Sequence, residues 1–135
     1  MEERSPFTHI LVPTDGSETS IGAGRLAIQI AVTHGIPITF VYVVDNAIVD
    51  EIAEATSKTA KMVHQELEAK GRRYLDYLSR LARDRGLQTD QVVRHGMPHG
   101  EIANLARERN VDLIVIGQVG RRGARRIHIG SVAER

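Results

Sequence analysis

The C-terminal part of the chain carries glycines whose spacing can bind a phosphate group. The apolar run over residues 112–116 is typical of a strand buried on both faces, and Gly117 and Gly120 follow it directly. Because glycine lacks a Cβ, main-chain N–H groups there can approach an anion closely. Gly130 and Ser131 look like the start of a helix, whose free N–H groups favour the same anion. The pattern predicts a phosphate-binding loop, and an ordinary glycine-rich connection is the alternative.

The segment between these glycines is strongly basic. Four arginines lie within residues 120–126, and guanidinium groups make bidentate contacts with phosphate oxygens. We expect Arg121 and Arg122 to contact phosphate and the other two arginines to be solvated. A fully solvated basic loop is one alternative, and weak contact with nucleic acid is another, since basic clusters attract any polyanion.

The glycine spacing resembles the ATP-binding signature of the universal stress protein family. That signature runs Gly, two residues, Gly, nine residues, Gly, then Ser or Thr, and residues 117–131 match every fixed position. The resemblance extends, in the same order along the chain, to residues 9–17, 41–45 and 96–98. It implies an α/β fold with a doubly wound parallel sheet, Rossmann-like and similar to the adenine nucleotide alpha hydrolases.

The resemblance also implies roles for residues outside the glycine run. Asp15 follows the first predicted strand, where it can bind ribose hydroxyls or help to hold a divalent ion on the phosphates. Helix capping is the alternative for Asp15, because Asp is a common N-cap residue. Val43 matches the family residue whose main chain recognises the adenine edge, although a buried strand also favours valine. The predicted nucleotide-binding residues are Pro13, Thr14, Asp15, Val43, Gly117, Gly120, Arg121, Arg122, Gly130, Ser131 and Val132.

Hydrophobic periodicity predicts alternating strands and helices, which is typical of βαβ units and a parallel sheet. Strands are expected near residues 8–13, 38–44, 91–94 and 112–116, and helices over about 17–33, around 67–82 and from 98 onward. Residues 46–57 show no clean period. Because ligands bind beyond the carboxyl ends of strands in such sheets, the loops that carry Asp15, Val43 and Gly117 can converge on one ligand.

Length and composition set independent limits. With 135 residues, of which 41% are hydrophobic, the chain is expected to form a single domain over residues 1–135. A net charge of +1 gives no general reason to expect binding to nucleic acid or to a membrane. The chain contains no cysteine and no run near the ~20 apolar residues of a bilayer span. A cytoplasmic location is the default expectation.

Two features depart from the family pattern. Gln118 and Val119 stand where the family usually carries a small hydroxyl residue followed by His or Arg. The chain also ends at Arg135, a few residues after the expected helix start, whereas family members continue into a fifth strand that often pairs with a second subunit. We therefore expect the final helix and the fifth strand to be truncated, and a homodimer to form through that missing strand.

The function that the resemblance implies is binding of ATP, with AMP or ADP as alternative ligands, in a regulatory or stress-response role with an unidentified protein partner. Mg²⁺ or Mn²⁺ is expected only through the phosphates near Asp15. No metal site made by the protein alone is predicted, because Pro98 separates His95 from His99 at the expected helix start.

Catalysis has little support in the sequence, since Asp15 is the only candidate for a catalytic base. Two other functions remain open. One is a slow ATPase or an adenylyl-transferring enzyme, and the other is a dimeric interaction module that needs no nucleotide.

Overall fold

The computed structural model describes residues 7–119 and 125–131, which form a five-stranded sheet with helices on both faces. The elements in chain order are β1 (Ile10–Pro13), α1 (Glu18–His34), β2 (Ile38–Asp45), α2 (Asn46–Ala55), α3 (Ala60–Asp84), β3 (Thr89–Gly96), α4 (Pro98–Glu108), β4 (Leu113–Val119) and β5 (Arg125–Ser131). The strands lie in the order β3-β2-β1-β4-β5. The first four are parallel to their neighbours, and β5 is antiparallel to β4. The predicted α/β fold with a doubly wound sheet is confirmed, and the sheet is parallel except for β5.

Alternate residues of β1 and β2 are buried in two different cores. Phe40 of β2 is fully buried among side chains of α1 and α3, whereas the next residue, Val41, is buried with Leu105 and Ala106 of α4. Because successive strand residues point to opposite faces of a sheet, α1 and α3 cover one face and α4 covers the other. Within the part of the chain that the structure describes, no helix is both long and apolar enough to span a membrane.

Side-chain caps determine where two helices begin at the carboxyl edge of the sheet. The Ser17 hydroxyl accepts a hydrogen bond of 3.1 Å from the N–H of Ser20 at the start of α1. The carboxylate of Asp45 accepts one of 3.0 Å from the N–H of Ala47, so that β2 passes directly into α2. Residues 46–55 thus form a helix although their hydrophobic residues show no clean period. Val49 is the buried residue of this helix.

At the opposite edge of the sheet, Asp112 joins the beginnings of β1 and β4. Its carboxylate accepts hydrogen bonds from the main-chain N–H of Thr8 (2.9 Å), from the Thr8 hydroxyl (2.9 Å) and from the N–H of His9 (3.2 Å). The His9 ring in turn places Nε2 2.7 Å from the hydroxyl oxygen of Thr39. The central strand is thus tied to both neighbouring strands at its first residues.

The C-terminal part of the sheet differs from the sequence prediction. β4 continues through Gly117 to Val119 instead of ending at residue 116, and Gly130 and Ser131 lie in β5 rather than at the start of a helix. A fifth strand is therefore present, antiparallel to β4, in the segment that is predicted to be a loop. The physical reason is a period of two, since Ile127 and Ile129 alternate with polar residues as strand residues do.

Candidate functional site

The reversal in strand order places β1 between β2 and β4, and ligands of open α/β sheets bind at such a point, beyond the carboxyl ends of the strands. Pro13 is the last residue of β1 and lies opposite Val41 of β2. The N–H of Thr14 continues this pairing with a hydrogen bond of 2.9 Å to the Val41 carbonyl. The loop that leaves β1 is therefore held at the carboxyl edge of β2.

Gly117 of β4 packs directly against the first turn of α1. A Cβ added to Gly117 would lie 2.3 Å from the carbonyl oxygen of Thr19 and 2.6 Å from the nitrogen of Ser20. Because both contacts are to main-chain atoms, only glycine allows this approach. The contact brings the carboxyl end of β4 beside the loop between β1 and α1, as the convergence of the two segments requires.

The Thr14 side chain forms hydrogen bonds within the segment that leads from β1 into α1. It is buried, its hydroxyl oxygen lies 2.9 Å from that of Ser20, and it accepts a hydrogen bond of 3.2 Å from the N–H of Gly16. These contacts hold the chain as it turns from β1 into α1. A ligand at this edge would therefore meet the main chain of Thr14 more readily than its hydroxyl.

Asp15 is exposed and also closes the turn. Its Oδ1 accepts a hydrogen bond of 2.9 Å from the N–H of Ser17, which agrees with the capping alternative. Partial burial opposes ionisation of the carboxyl group, but hydrogen bonds from Ser17 and Ser20 outweigh it and lower the pKa of Asp15 below its ordinary value. The loop therefore presents a carboxylate at neutral pH, which can accept hydrogen bonds from sugar hydroxyls or bind a cation.

Two tyrosines lie near the loop, Tyr74 on α3 and Tyr42 on β2, and neither is among the predicted nucleotide-binding residues. A Cβ at Gly16, where φ is +84°, would lie 2.1 Å from the Tyr74 ring. The ring centroid of Tyr42 is 6.4 Å from that of Tyr74. Burial, followed by the charges of Tyr74 and Asp15, raises the pKa of Tyr42. The glycine after Asp15 is the sequence signal for this contact, since the turn leaves no space for a side chain there.

Val43 lies near the carboxyl end of β2, opposite Arg94 of β3, and is half-buried against the residues packed on α4. It is on the strand next to β1 and two positions beyond Val41, which pairs with Pro13. Its main chain is therefore at the same edge of the sheet as Asp15.

Of the remaining predicted residues, the structure describes Gly130 and Ser131. Gly130 and Ser131 pair with Ile114 and Leu113, near the beginning of β4. Gly117 lies three residue steps beyond Ile114 along β4, which corresponds to about 10 Å, so Gly130 and Ser131 are not brought to Gly117. Gly120, Arg121, Arg122 and Val132 lie outside the described residues.

Residues 7–119 and 125–131 contain no group of three or more His, Asp or Glu side chains that could together hold a metal ion. A cation at this edge would therefore depend on oxygen atoms that a ligand supplies in addition to Asp15.

The chain is similar in sequence to one group of proteins. A sequence model of the universal stress protein family matches residues 6–135. The universal stress protein MJ0531 of Methanocaldococcus jannaschii is 32% identical over 129 residues, which cover 96% of this chain and 75% of that protein. The universal stress protein YxiE of Bacillus subtilis is 28% identical over 134 residues, covering 96% and 90% of the two chains.

Solved structures share the fold at lower identity. A protein from the universal stress protein family of Burkholderia pseudomallei superposes with a TM-score of 0.71 at 24% identity, over 83% of this chain and 82% of that one. A universal stress protein of Archaeoglobus fulgidus in complex with dAMP gives 0.62 at 19% identity, over 82% and 80%. A universal stress protein in complex with cAMP gives 0.57 at 21% identity, over 82% and 72%.

Proposed function

Because the chain belongs to the universal stress protein family, we propose that it binds an adenine nucleotide at the carboxyl edge of β1, β2 and β4, in a regulatory role rather than as an efficient catalyst. The observation that carries this proposal is the contact of Gly117 with the first turn of α1, which brings the ends of β1 and β4 together. The dAMP and cAMP complexes of structurally similar proteins support adenine nucleotides as the ligand class.

The described residues supply groups for the adenosine part of the ligand. Asp15 offers an ionised, exposed carboxylate to the ribose hydroxyls. The main chain of Val43, on the neighbouring strand, is proposed to contact the adenine edge. Gly117 has no side chain between β4 and α1, and it therefore keeps the end of β4 close to the end of β1.

The phosphate part of the proposal rests on the glycine signature. ATP with Mg²⁺ or Mn²⁺ is the ligand that this signature predicts, through Gly120, Arg121, Arg122 and Val132. Gly130 and Ser131, in contrast, lie near the beginning of β4. The described geometry thus favours the nucleoside more strongly than the triphosphate, and AMP and ADP are ligands to compare with ATP.

Calorimetric titration of the full chain with adenosine, AMP and ATP, each with and without Mg²⁺, tests the proposal. We expect all three ligands to bind, and AMP and ATP to bind more tightly than adenosine because of their phosphate groups. In Asp15→Asn the amide oxygen can still accept the hydrogen bond from Ser17 N–H, so that this variant removes mainly the charge. We expect it to weaken binding roughly 10- to 150-fold, the value of a hydrogen bond to a charged group.

Ser17→Ala is the matched control, because it removes the N-cap of α1 and the Ser17 side-chain hydrogen bond but keeps the Asp15 carboxylate and its bond from the Ser17 main-chain N–H. It is expected to cost about 0.5–2 kcal/mol of stability and to change nucleotide affinity much less than Asp15→Asn does. Equal losses of affinity in both variants would mean that Asp15 acts only through the turn. Multiple turnovers of ATP, abolished by Asp15→Asn, would contradict a binding-only role.

One observation favours an interaction module that needs no nucleotide, namely the separation of Gly130 and Ser131 from Gly117. β5 is an edge strand, and its Ile127 and Ile129 side chains are 41% and 52% exposed. Such an edge can pair with a second copy of the chain. The predicted homodimer is therefore part of this second proposed function. A dimeric mass in light scattering, together with no heat of binding when the chain is titrated with adenosine, AMP or ATP, would favour this second function.

A further inference from the structure

Two histidines, His64 of α3 and His95 of β3, face each other, and His95 pairs with Val44, the residue after Val43. Nδ1 of His64 lies 3.3 Å from Nδ1 of His95, and the ring centroids are 5.3 Å apart with the planes inclined at 33°. On the other side of the His95 ring, Nε2 lies 3.2 Å from Oε1 of Glu68. Glu68 follows His64 by one turn of α3, so both residues reach the same ring from one helix.

Glu68 determines which nitrogen of His95 carries the proton. The carboxylate accepts a hydrogen bond from Nε2–H, so the neutral ring keeps a lone pair on Nδ1, the atom that faces His64. A histidine that binds a metal ion usually donates its second N–H to a carboxylate in this way, which fixes the tautomer and the orientation of the ring. The arrangement of Glu68 and His95 thus prepares Nδ1 as a ligand.

The spacing of the two rings fits one shared ion. With Zn–N bonds of ≈ 2.0–2.1 Å and tetrahedral angles, two imidazole ligands have their nitrogens about 3.3 Å apart and their ring centroids about 5.2 Å apart. The corresponding distances in this structure are 3.3 Å and 5.3 Å. The His95 side chain is 43% exposed, so an ion and its water molecules can reach the nitrogens from solvent.

We propose that His64 and His95 bind one divalent transition-metal ion of the zinc class through their Nδ1 atoms, with Glu68 as the residue that orients His95. Imidazole ligands suit zinc, copper and nickel. Since the described residues add no third His, Asp or Glu to this pair as a ligand, water completes the coordination. The site is therefore open and exchangeable, unlike the closed four-ligand sites that stabilise small domains.

Titration of the nucleotide-free full chain with ZnCl₂ tests this site, read by calorimetry and by long-range ¹H–¹⁵N spectra of the imidazole nitrogens. We expect one ion per chain, with shifts of Nδ1 in both His64 and His95 and a retained proton on Nε2 of His95. Spectra in which both Nδ1 resonances stay unchanged at saturating zinc would overturn the proposal, and this result needs no variant.

Variants then assign the ligands. His64→Ala and His95→Ala should each abolish the one-to-one binding, and Glu68→Ala should lower zinc affinity by about 10- to 100-fold, as loss of a residue that orients a ligand does. His99→Ala is the control, because His99 is an exposed histidine four positions from His95, and it should bind zinc as the wild type does. Undiminished binding in His64→Ala or His95→Ala, with thermal unfolding confirming the fold, would show that zinc binds elsewhere.

Discussion

The ring of Tyr42 lies in the space that a side chain at residue 71 would occupy. A Cβ added to Gly71 would be 2.1 Å from Cδ1 of Tyr42, and Gly71 is a buried residue of α3. Glycine in the middle of a helix costs about 0.5–1 kcal/mol relative to alanine. That cost is offset here because the missing side chain lets α3 pack closely on β2.

Gly71→Ala should therefore destabilise the protein although alanine is the better helix former. Overpacking of this kind costs about 1–3 kcal/mol, measured as a lower midpoint of urea unfolding. Gly100→Ala in α4 is the control, since nothing lies within 4 Å of a Cβ there, and it should raise stability by up to about 1 kcal/mol. If both variants gained stability, the described packing of Tyr42 on α3 would be wrong.

Gly117→Ala should be more damaging, because the atoms that its Cβ would meet belong to the main chain of Thr19 and Ser20 and cannot rotate away. We expect a loss of at least the roughly 1–3 kcal/mol typical of overpacking, together with weaker nucleotide binding as β4 moves away from α1. Unfolding in urea and titration with ATP measure the two effects. Gly22→Ala, whose Cβ would lie 3.9 Å from Ile127, is the control and should retain both properties. Wild-type stability of Gly117→Ala would contradict the close packing of β4 on α1.

Asp112 should contribute stability that acid removes. Partial burial opposes its ionisation, but hydrogen bonds from Thr8 and His9 outweigh that effect and lower the pKa of Asp112. Because the folded-state pKa is below the unfolded one, the contribution is complete above the unfolded value of about 3.9 and is lost as the pH falls through the folded value. Asp112→Ala should cost about 1–3 kcal/mol at pH 7.

The difference in unfolding free energy between wild type and Asp112→Ala should then shrink as the pH falls below about 4. Urea unfolding of both proteins at several pH values measures it. A difference that stays constant down to pH ~2 would exclude an ionised Asp112 as the source of the stability.

His9 should make stability depend on pH in a higher range. Burial, opposed by the hydrogen bond to the Arg109 carbonyl, lowers the pKa of His9 below 6.5. The unfolded chain therefore binds the proton more readily, so this contribution is complete above about pH 6.5 and is lost as the pH falls through the folded value. The unfolding free energy of the wild type should fall more steeply from pH 7 to 5 than that of His9→Gln. Identical slopes would contradict a neutral His9 bonded to Thr39.

Local signals in the sequence were sufficient to predict α1, which has a capping residue at each end. α1 begins after its Ser17 cap and ends at Gly35, whose φ is +65°, and both residues can be identified in the sequence. α2 has the same kind of signal in Asp45, but its apolar residues lack a clear period because Val49 is its only fully buried side chain. Periodicity therefore misses a short helix that buries little.

The parts that could not be predicted depend on contacts between distant segments. Gly117 looks like the beginning of a loop, although the structure requires its glycine inside a strand that packs on α1. Gly130 matches a helix start by resemblance, while the neighbouring alternation of isoleucines produces a strand. His64 and His95 are 31 residues apart, so that no local pattern relates them.

The hydrogen bonds between Thr8 and Asp112 join residues 104 positions apart. At the ≈ 5–20 residues per second of ribosomal synthesis, Thr8 is made about 5–20 s before Asp112. During that interval one side of the innermost strand has no partner. The nascent chain thus exposes a hydrogen-bonding edge until residue 112 has been made, and chaperones can bind this edge during that time.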